Sequence, residues 1–208
     1  MPVERLRIGV LCSGRGSNLQ AILDAARDPS YPARVAVVIS DNPHAYAIQR
    51  AREHGVPAEL ILPASFPDRI QHDLAVAQRL EEHGVGLVAL AGYMRIVSPQ
   101  FIRRFPGRIM NIHPALLPSF PGLHAQKQAV VYGVKVSGVT VHFVDEGVDT
   151  GPIIQQVPVA VADEDTEESL SARILEHEHR AYPEAIRLFA DGRLRVEGRK
   201  VRIVPREA

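Results

Sequence analysis

Short apolar runs separated by helical stretches dominate the first half of the chain, and that rhythm narrows the fold more than any other feature. Leu6–Leu11, Val35–Ile39, Glu59–Leu62 and Leu87–Ala91 read as strands, and Asn18–Arg27, Tyr46–His54 and Pro67–His83 as the helices between them. Leu19, Ile22, Leu23 and Ala26 share one face of the first helix, and Ile70, Leu74, Ala77 and Leu80 one face of the third. Pro67 suits a first-turn position there. Strand runs without a polar face are buried on both sides, which calls for parallel strands with helices packed above and below. The predicted class is therefore α/β: a mostly parallel, twisted sheet flanked by helices, Rossmann-like in its N-terminal half.

The rhythm breaks after residue 105. Arg108–Ile112 reads as a strand entering a loop with Pro114, Pro118 and Pro121, followed by a short helix, Gln126–Tyr132. Val134–Val144 alternates toward its end, with Val139, Val141 and Phe143 on one face and Thr140, His142 and Val144 on the other. Ile153–Val161 is a second strand that can pair with it as an antiparallel hairpin. A helix is expected from Thr166 to Tyr182, after the acidic stretch Asp163-Glu164-Asp165, with Pro183 kinking or ending it. Arg193–Val196 and Lys200–Val204, with Gly198 in the turn, suggest a terminal hairpin. No linker divides the chain, so a single domain over 1–208 is expected, in two halves, 1–105 and 106–208.

Composition excludes some classes of function. Lys+Arg and Asp+Glu balance at 24 each with no basic block, which argues against a nucleic-acid partner. No apolar run approaches the roughly 18 residues of a membrane span. Cys12 is the only cysteine and no leader-like segment precedes the first strand, so a cytoplasmic location is expected. Neither an HExxH pattern nor paired cysteines occur, and no metal site is read.

Three features carry chemistry. Ser13-Gly14-Arg15-Gly16-Ser17-Asn18 links the first strand to the first helix, where glycines admit close backbone approach and a helix start offers N–H donors to an anion. Ser17 or Asn18 is the expected N-cap. The loop matches neither the dinucleotide fingerprint nor a P-loop, so a phosphorylated substrate is favoured over NAD or ATP, while a turn without a ligand also fits. Asn111 and His113 lie two apart near a strand end, hence on one face, and Pro114 holds His113 extended. They read either as a ligand-facing pair at the C-terminal end of a strand or as a core amide and imidazole. Asp149, in Asp145-Glu146-Gly147-Val148-Asp149-Thr150-Gly151-Pro152, reads by itself as a turn residue. His142 and His124 are weaker candidates, and His44, His54, His72 and His83 read as surface or structural.

Taken together, these motifs are familiar. The chain resembles the formyltransferase superfamily through Asn111-Ile112-His113-Pro114-Ala115-Leu116-Leu117-Pro118, Leu90-Ala91-Gly92-Tyr93-Met94-Arg95-Ile96, Phe120-Pro121-Gly122-Leu123-His124 and Asp149-Thr150-Gly151-Pro152. The Gly16-Ser17-Asn18 loop narrows the resemblance to the glycinamide ribonucleotide transformylase family, over essentially the whole chain. Arg15 and Ala115 are mild departures, standing where a small polar residue and a serine are common. The resemblance implies formyl transfer from 10-formyltetrahydrofolate, a reduced-folate co-substrate, to glycinamide ribonucleotide in purine biosynthesis, with no metal. It implies a phosphate-binding first half and a catalytic and folate-binding second half. Asn111, His113 and Asp149 match its catalytic set. Gly16, Ser17, Asn18 and Glu178 match substrate-binding positions, and Arg69, Met94, Arg95, Ile96, Val97 and Asn111 folate-binding ones. Asn111 and a protonated His113 would donate to the oxyanion of a tetrahedral intermediate, with Asp149 raising the pKa of His113. Small-molecule substrates are the expected partners, and a homodimer is left open. The alternative is another 10-formyltetrahydrofolate-using formyltransferase or hydrolase. A tRNA-directed enzyme would need an RNA-binding extension and basic surface, and a hydrolase usually carries an N-terminal regulatory domain. A non-catalytic nucleotide-binding module would leave the Asn111, His113 and Asp149 motifs without a role.

Overall fold

In the computed structural model, which describes residues 4–206, the chain divides into two compact units, Met1–Met110 and Asn111–Ala208. The first unit holds β1 (Leu6–Leu11), β2 (Ala33–Ser40), β3 (Ala58–Leu60) and β4 (Leu87–Leu90), in the order β3-β2-β1-β4. Each of these neighbouring pairs is parallel. Ile8, Val10, Leu11, Val37, Val38, Leu87 and Val88 are fully buried, which explains why these strands carry apolar runs instead of alternation. The helices are α1 (Ser17–Ala26), α2 (Tyr46–Glu53), α3 (Arg69–Glu82) and the short α4 (Pro99–Arg104). Because the strands are parallel, the loops after β1, β2 and β4 leave from the same edge, where open α/β sheets place ligands.

Two expectations for α3 are corrected. Pro67 lies outside the helix. Asp68 is the N-cap, in extended conformation, and its Oδ1 accepts from the Gln71 N–H at 2.8 Å, a bond Pro67 has no means of replacing. The buried face also differs from the apolar stripe read from sequence: it carries His72, Asp73, Val76, Ala77 and Leu80, while Ile70 is exposed. The polar pair is tolerated because it is satisfied. His72 Nε2 faces the Ile61 carbonyl at 3.0 Å, its Nδ1 faces Asp73 Oδ1 at 3.3 Å, and Asp73 Oδ2 accepts from the Ser98 N–H at 2.7 Å.

The second unit contains the end of β5 (Ile109–His113), α5 (Ala125–Tyr132), β6 (Val136–Phe143), β7 (Ile153–Ala160), α6 (Glu167–Ala190), β8 (Leu194–Glu197) and β9 (Lys200–Ile203). Strand order is β5-β6-β7-β9-β8. β6–β7 and β8–β9 are the antiparallel pairs foreseen, and β7–β9 is parallel. The fold class is as expected: mixed, parallel in the first half, with antiparallel pairs in the second.

Pro183 neither ends nor breaks α6, which runs 24 residues with the proline inside it. Proline in a helix interior costs about 3 kcal/mol. Burial of a large apolar side chain contributes about 1.5–3 kcal/mol, and Tyr182, Ile186 and Leu188 are all buried around the proline. Gln155 Nε2 on β7 also donates to the Ala181 carbonyl at 2.5 Å, binding this stretch to the sheet. Packing therefore outweighs propensity. The start of α6 needs no such help: Thr166 and Ser169 form a reciprocal capping box, and Glu167 and Glu168 complement the dipole. Among the described residues no helix is long and apolar enough to cross a membrane.

Candidate functional site

The last residues of β5 and the end of β6 converge on one carboxylate. Strand alternation sets Asn111 and His113 on the same face, His113 with 4% exposure. On β6 His142 follows the strand alternation and shares a face with Thr140, while the register with β7 shifts beside it, leaving Ile154 of β7 as the extra residue. Asp149 arrives from the loop between β6 and β7 with φ of 54°, a left-handed conformation that aspartate tolerates better than most residues. Its Oδ1 accepts from Asn111 Nδ2 at 3.3 Å and lies 3.6 Å from His142 Nε2. Its Oδ2 accepts from the Gly122 N–H at 2.8 Å and lies 3.4 Å from His113 Nδ1. The Asn111–His113–Asp149 set thus meets within the second unit, and His142 is a fourth member.

The surroundings fix the two rings. His113 Nε2 donates to the Phe120 carbonyl at 2.8 Å, and His142 Nδ1 donates to the Phe143 carbonyl at 2.8 Å. The proline-rich loop that supplies Phe120 is anchored by Thr140. Its hydroxyl donates to the Ala115 carbonyl at 2.7 Å and accepts from the Leu117 N–H at 3.0 Å. Phe120, His124 and Asp149 are the positive-φ residues other than glycine among the described residues. Two of the three, Phe120 and Asp149, face His113, a clustering of backbone strain typical of functional loops.

The electrostatics correct one expectation. Burial pushes the His113 imidazole below its ordinary value, against the opposing pull of Asp149 and the Phe120 carbonyl, so Asp149 does not raise it overall. Asp149 is itself resisted by burial, yet its hydrogen-bonding neighbours, the Gly122 N–H among them, hold its carboxyl below the usual carboxylate range. The resting site is a carboxylate beside a ring biased toward neutrality. That ring has an acceptor waiting at each nitrogen should it gain a proton. Among the described residues no group of three His, Cys, Asp or Glu side chains is arranged to hold a metal.

The glycine loop lies in the first unit. Neither Ser17 nor Asn18 caps α1. Gly16 is the N-cap, with φ of 69°, and makes no side-chain cap hydrogen bond. Gly16 takes this position because Ala47 of α2 packs against it: an added Cβ would come within 2.8 Å of the Ala47 Cβ. The loop is held at three more points. Ala47 N–H donates to the Gly14 carbonyl at 3.2 Å, Arg50 Nε to the Arg15 carbonyl at 2.9 Å, and Asn42 Nδ2 to the Ser13 carbonyl at 2.8 Å. A rigid backbone turn ending in an uncapped helix start is a good anion cradle. Cys12, just before it, is no nucleophile, since burial, aided by Asp41, pushes its thiol up to about 12.

Met94–Val97 occupy the loop between β4 and α4, also in the first unit. Met94 and Ile96 project with 66% and 55% exposure, and Arg69 is exposed at the start of α3. This loop is tied to the glycine loop: Met94 N–H donates to Ser13 Oγ at 2.9 Å, and Ser13 N–H to the Gly92 carbonyl at 3.0 Å. Glu178 lies on the buried face of α6 with 6% exposure. A groove of about 440 Å³ lined by Glu59, Leu62, Phe66, Gln78, Arg79 and Glu82 contains none of these residues. Its polar walls are already paired, Arg79 with Glu59 and with Glu82. Its titratable groups are paired at the surface, whereas the Asn111–His113–His142–Asp149 cluster gathers two buried imidazoles around a carboxylate.

The sequence reading underweighted His142. Its place beside Thr140 on the polar face of a strand was visible, but only the order β5-β6 brings it to Asn111.

Comparison with known proteins bears on the whole arrangement. The Formyl transferase family model matches residues 6–186. The phosphoribosylglycinamide formyltransferase of Haemophilus influenzae is 42% identical over 191 residues, covering 92% of this chain and 90% of that protein. The trifunctional purine biosynthetic protein adenosine-3 of Drosophila melanogaster is 48% identical over 91% of this chain, which spans only 14% of that longer protein. The solved glycinamide ribonucleotide transformylase 1 of Symbiobacterium toebii superposes with a TM-score of 0.95 at 59% identity, over 97% of this chain and 95% of that one. With the family's motifs gathered at β5 and the β6–β7 loop, the chain belongs to the formyl transferase family.

Proposed function

We propose that the protein transfers the formyl group of 10-formyltetrahydrofolate to the amine of glycinamide ribonucleotide in purine biosynthesis, in the cytoplasm, as a single formyltransferase domain spanning 1–208. The observation that carries this reading is the convergence of Asn111, His113 and His142 on the half-buried carboxylate of Asp149. The partners are small molecules, with neither nucleic acid nor membrane required, and a homodimer remains compatible with the reading.

Attack of the ribonucleotide amine on the formyl carbon places negative charge on the former carbonyl oxygen and positive charge on the amine. Asn111 donates to that oxygen. Preorganised donors of this kind contribute about 3–4 kcal/mol each to the transition state. His113, biased toward the neutral ring by burial, takes up the amine proton. The imidazolium so formed is flanked by the Phe120 carbonyl and the Asp149 carboxylate, and it returns the proton to the departing folate nitrogen. The Gly16–Asn18 turn holds the phosphate, and Glu178 contacts the glycinamide end. Arg69 and Met94–Val97 receive the folate. The two exposed apolar side chains of that loop, Met94 and Ile96, suit a flat ring system.

The direct test is a formyl-transfer assay with the purified protein, glycinamide ribonucleotide and 10-formyltetrahydrofolate. Formylated ribonucleotide should appear in equimolar amount with tetrahydrofolate. Folate turnover that ignores the ribonucleotide would make the protein a hydrolase. The same assay yields a pH profile. Because the His113 pKa is lowered, the neutral base persists below the ordinary imidazole value of about 6.5. The acid limb of kcat/KM should therefore fall below that value. Asp149→Asn removes the charge that supports the imidazolium and should move the limb to still lower pH. Movement of the limb upward, or no movement, would separate His113 from the titration.

A further inference from the structure

We infer that His142 is a positioning residue that sets which edge of the Asn111 amide faces the reacting carbonyl. The inference rests on the reading of Asn111 as the oxyanion donor. The Phe143 carbonyl can only accept, so the 2.8 Å contact places a proton on His142 Nδ1. In that tautomer Nε2 presents a lone pair, and it lies 3.3 Å from Asn111 Nδ2. Asp149 Oδ1 is a second acceptor, also 3.3 Å from Asn111 Nδ2. One hydrogen of the amide group is directed at this pair of acceptors and the other remains for an oxyanion. The inverted amide would set its own oxygen against a ring lone pair and a carboxylate, three acceptors with no proton among them. It would also turn an oxygen toward the developing negative charge.

His142 and Asp149 divide this task unequally. Asp149 sits on a loop and shares its other oxygen with Gly122 and His113. His142 stands on β6, 2% exposed, on the face that strand alternation gives it with Thr140. The strand-borne group therefore sets the amide from rigid backbone, and preorganisation of a donor before the charge develops is what gives it catalytic value. His142 touches Asn111 and Asp149 and acts through them.

The test is a double-mutant cycle read by kcat and by both KM values, with thermal unfolding as a folding check. His142→Leu keeps bulk but removes the acceptor. His142→Gln can offer an amide oxygen near the position of Nε2. His142→Leu should lower kcat by about 10- to 100-fold with both KM values within about threefold, and His142→Gln should recover most of the rate. In the Asn111→Ala background, His142→Leu should cost less than about threefold more, because the group it orients is gone. A loss of equal size in both backgrounds overturns the inference, as does near-wild-type turnover of His142→Leu. If the leucine variant does not fold, His142→Gln decides: a folded glutamine variant that loses more than about tenfold in kcat also overturns it. Turnover of Asn111→Ala close to wild type would instead remove the donor role of Asn111, a failure of the proposed function that the cycle reports separately.

Discussion

His113→Ala is expected to lower kcat by about 10²- to 10⁴-fold, the range lost with a general acid–base group in a preorganised site. Two effects add. The substrate amine loses the ring that takes its proton, and the oxyanion loses a neighbouring positive charge. KM for both substrates should move little, because the ring is 4% exposed and offers little surface to a ground-state ligand. The substitution also leaves the Phe120 carbonyl without its donor and Asp149 without a neighbour at 3.4 Å. Some loss of stability is therefore certain to accompany it, and a bare loss of rate would not separate chemistry from structure. Added imidazole does separate them. If the ring supplies a proton carrier, free imidazole should restore part of kcat in a concentration-dependent way, while a merely collapsed loop would not respond. A variant that keeps turnover within tenfold of wild type would sink the assignment. For Asp149 the informative replacement is asparagine. At φ of 54° an alanine pays a left-handed penalty of about 1–2 kcal/mol that asparagine largely avoids, so Asp149→Ala would mix strain with lost charge.

Asn111 and His113 were legible in the sequence because strand alternation acts over two residues and Pro114 restrains the backbone on one side; nothing distant is needed. Asp149 was legible only through resemblance. Its turn fixes a conformation, but what its carboxylate meets depends on two loops, one led by Phe120 and one by Asp145, arriving at the same place. His142 was harder still. Its face of the strand could be read, but its neighbour across the sheet could not, since sheet order is a tertiary fact. The direction of the His113 shift failed for a related reason. A nearby carboxylate argues for a raised value, and only the burial of the ring reveals that desolvation wins. The same holds for the elements. The rule that proline breaks helices would have ended α6 at Pro183, but it knows nothing of Tyr182 and Ile186 packed into the core beside it. The apolar stripe on α3 was misplaced because a satisfied His72–Asp73 pair occupies core positions that hydrophobicity alone assigns to leucine and isoleucine.

Gly16→Val should act on the other substrate and leave the chemistry nearly intact. Two penalties meet at this residue. Its φ of 69° costs a side-chain-bearing residue about 1–2 kcal/mol, more when it is β-branched. A Cβ would also stand 2.8 Å from the Ala47 Cβ and 2.9 Å from the Ala47 Cα, and the latter is backbone that cannot move aside without displacing α2. Relief must come from the turn itself, so the first N–H groups of α1 lose the geometry that suits a phosphate. Hydrogen bonds to a charged group contribute about 1.5–3 kcal/mol each. Misaligning one or two of them should raise KM for the ribonucleotide by roughly 100-fold. KM for the folate should change by less than about threefold, and kcat at saturating ribonucleotide by less than about tenfold, since Asn111, His113 and Asp149 belong to other elements. Glycinamide riboside, which lacks the phosphate, provides the control. The wild-type protein should handle it about as poorly as Gly16→Val handles the phosphorylated substrate, and the variant should gain almost nothing from the phosphate. A general collapse of the first unit would raise both KM values together and lower the unfolding temperature by many degrees. An unchanged KM for the ribonucleotide in a folded Gly16→Val protein would remove the phosphate from this turn, and with it the reason for choosing a ribonucleotide as the formyl acceptor.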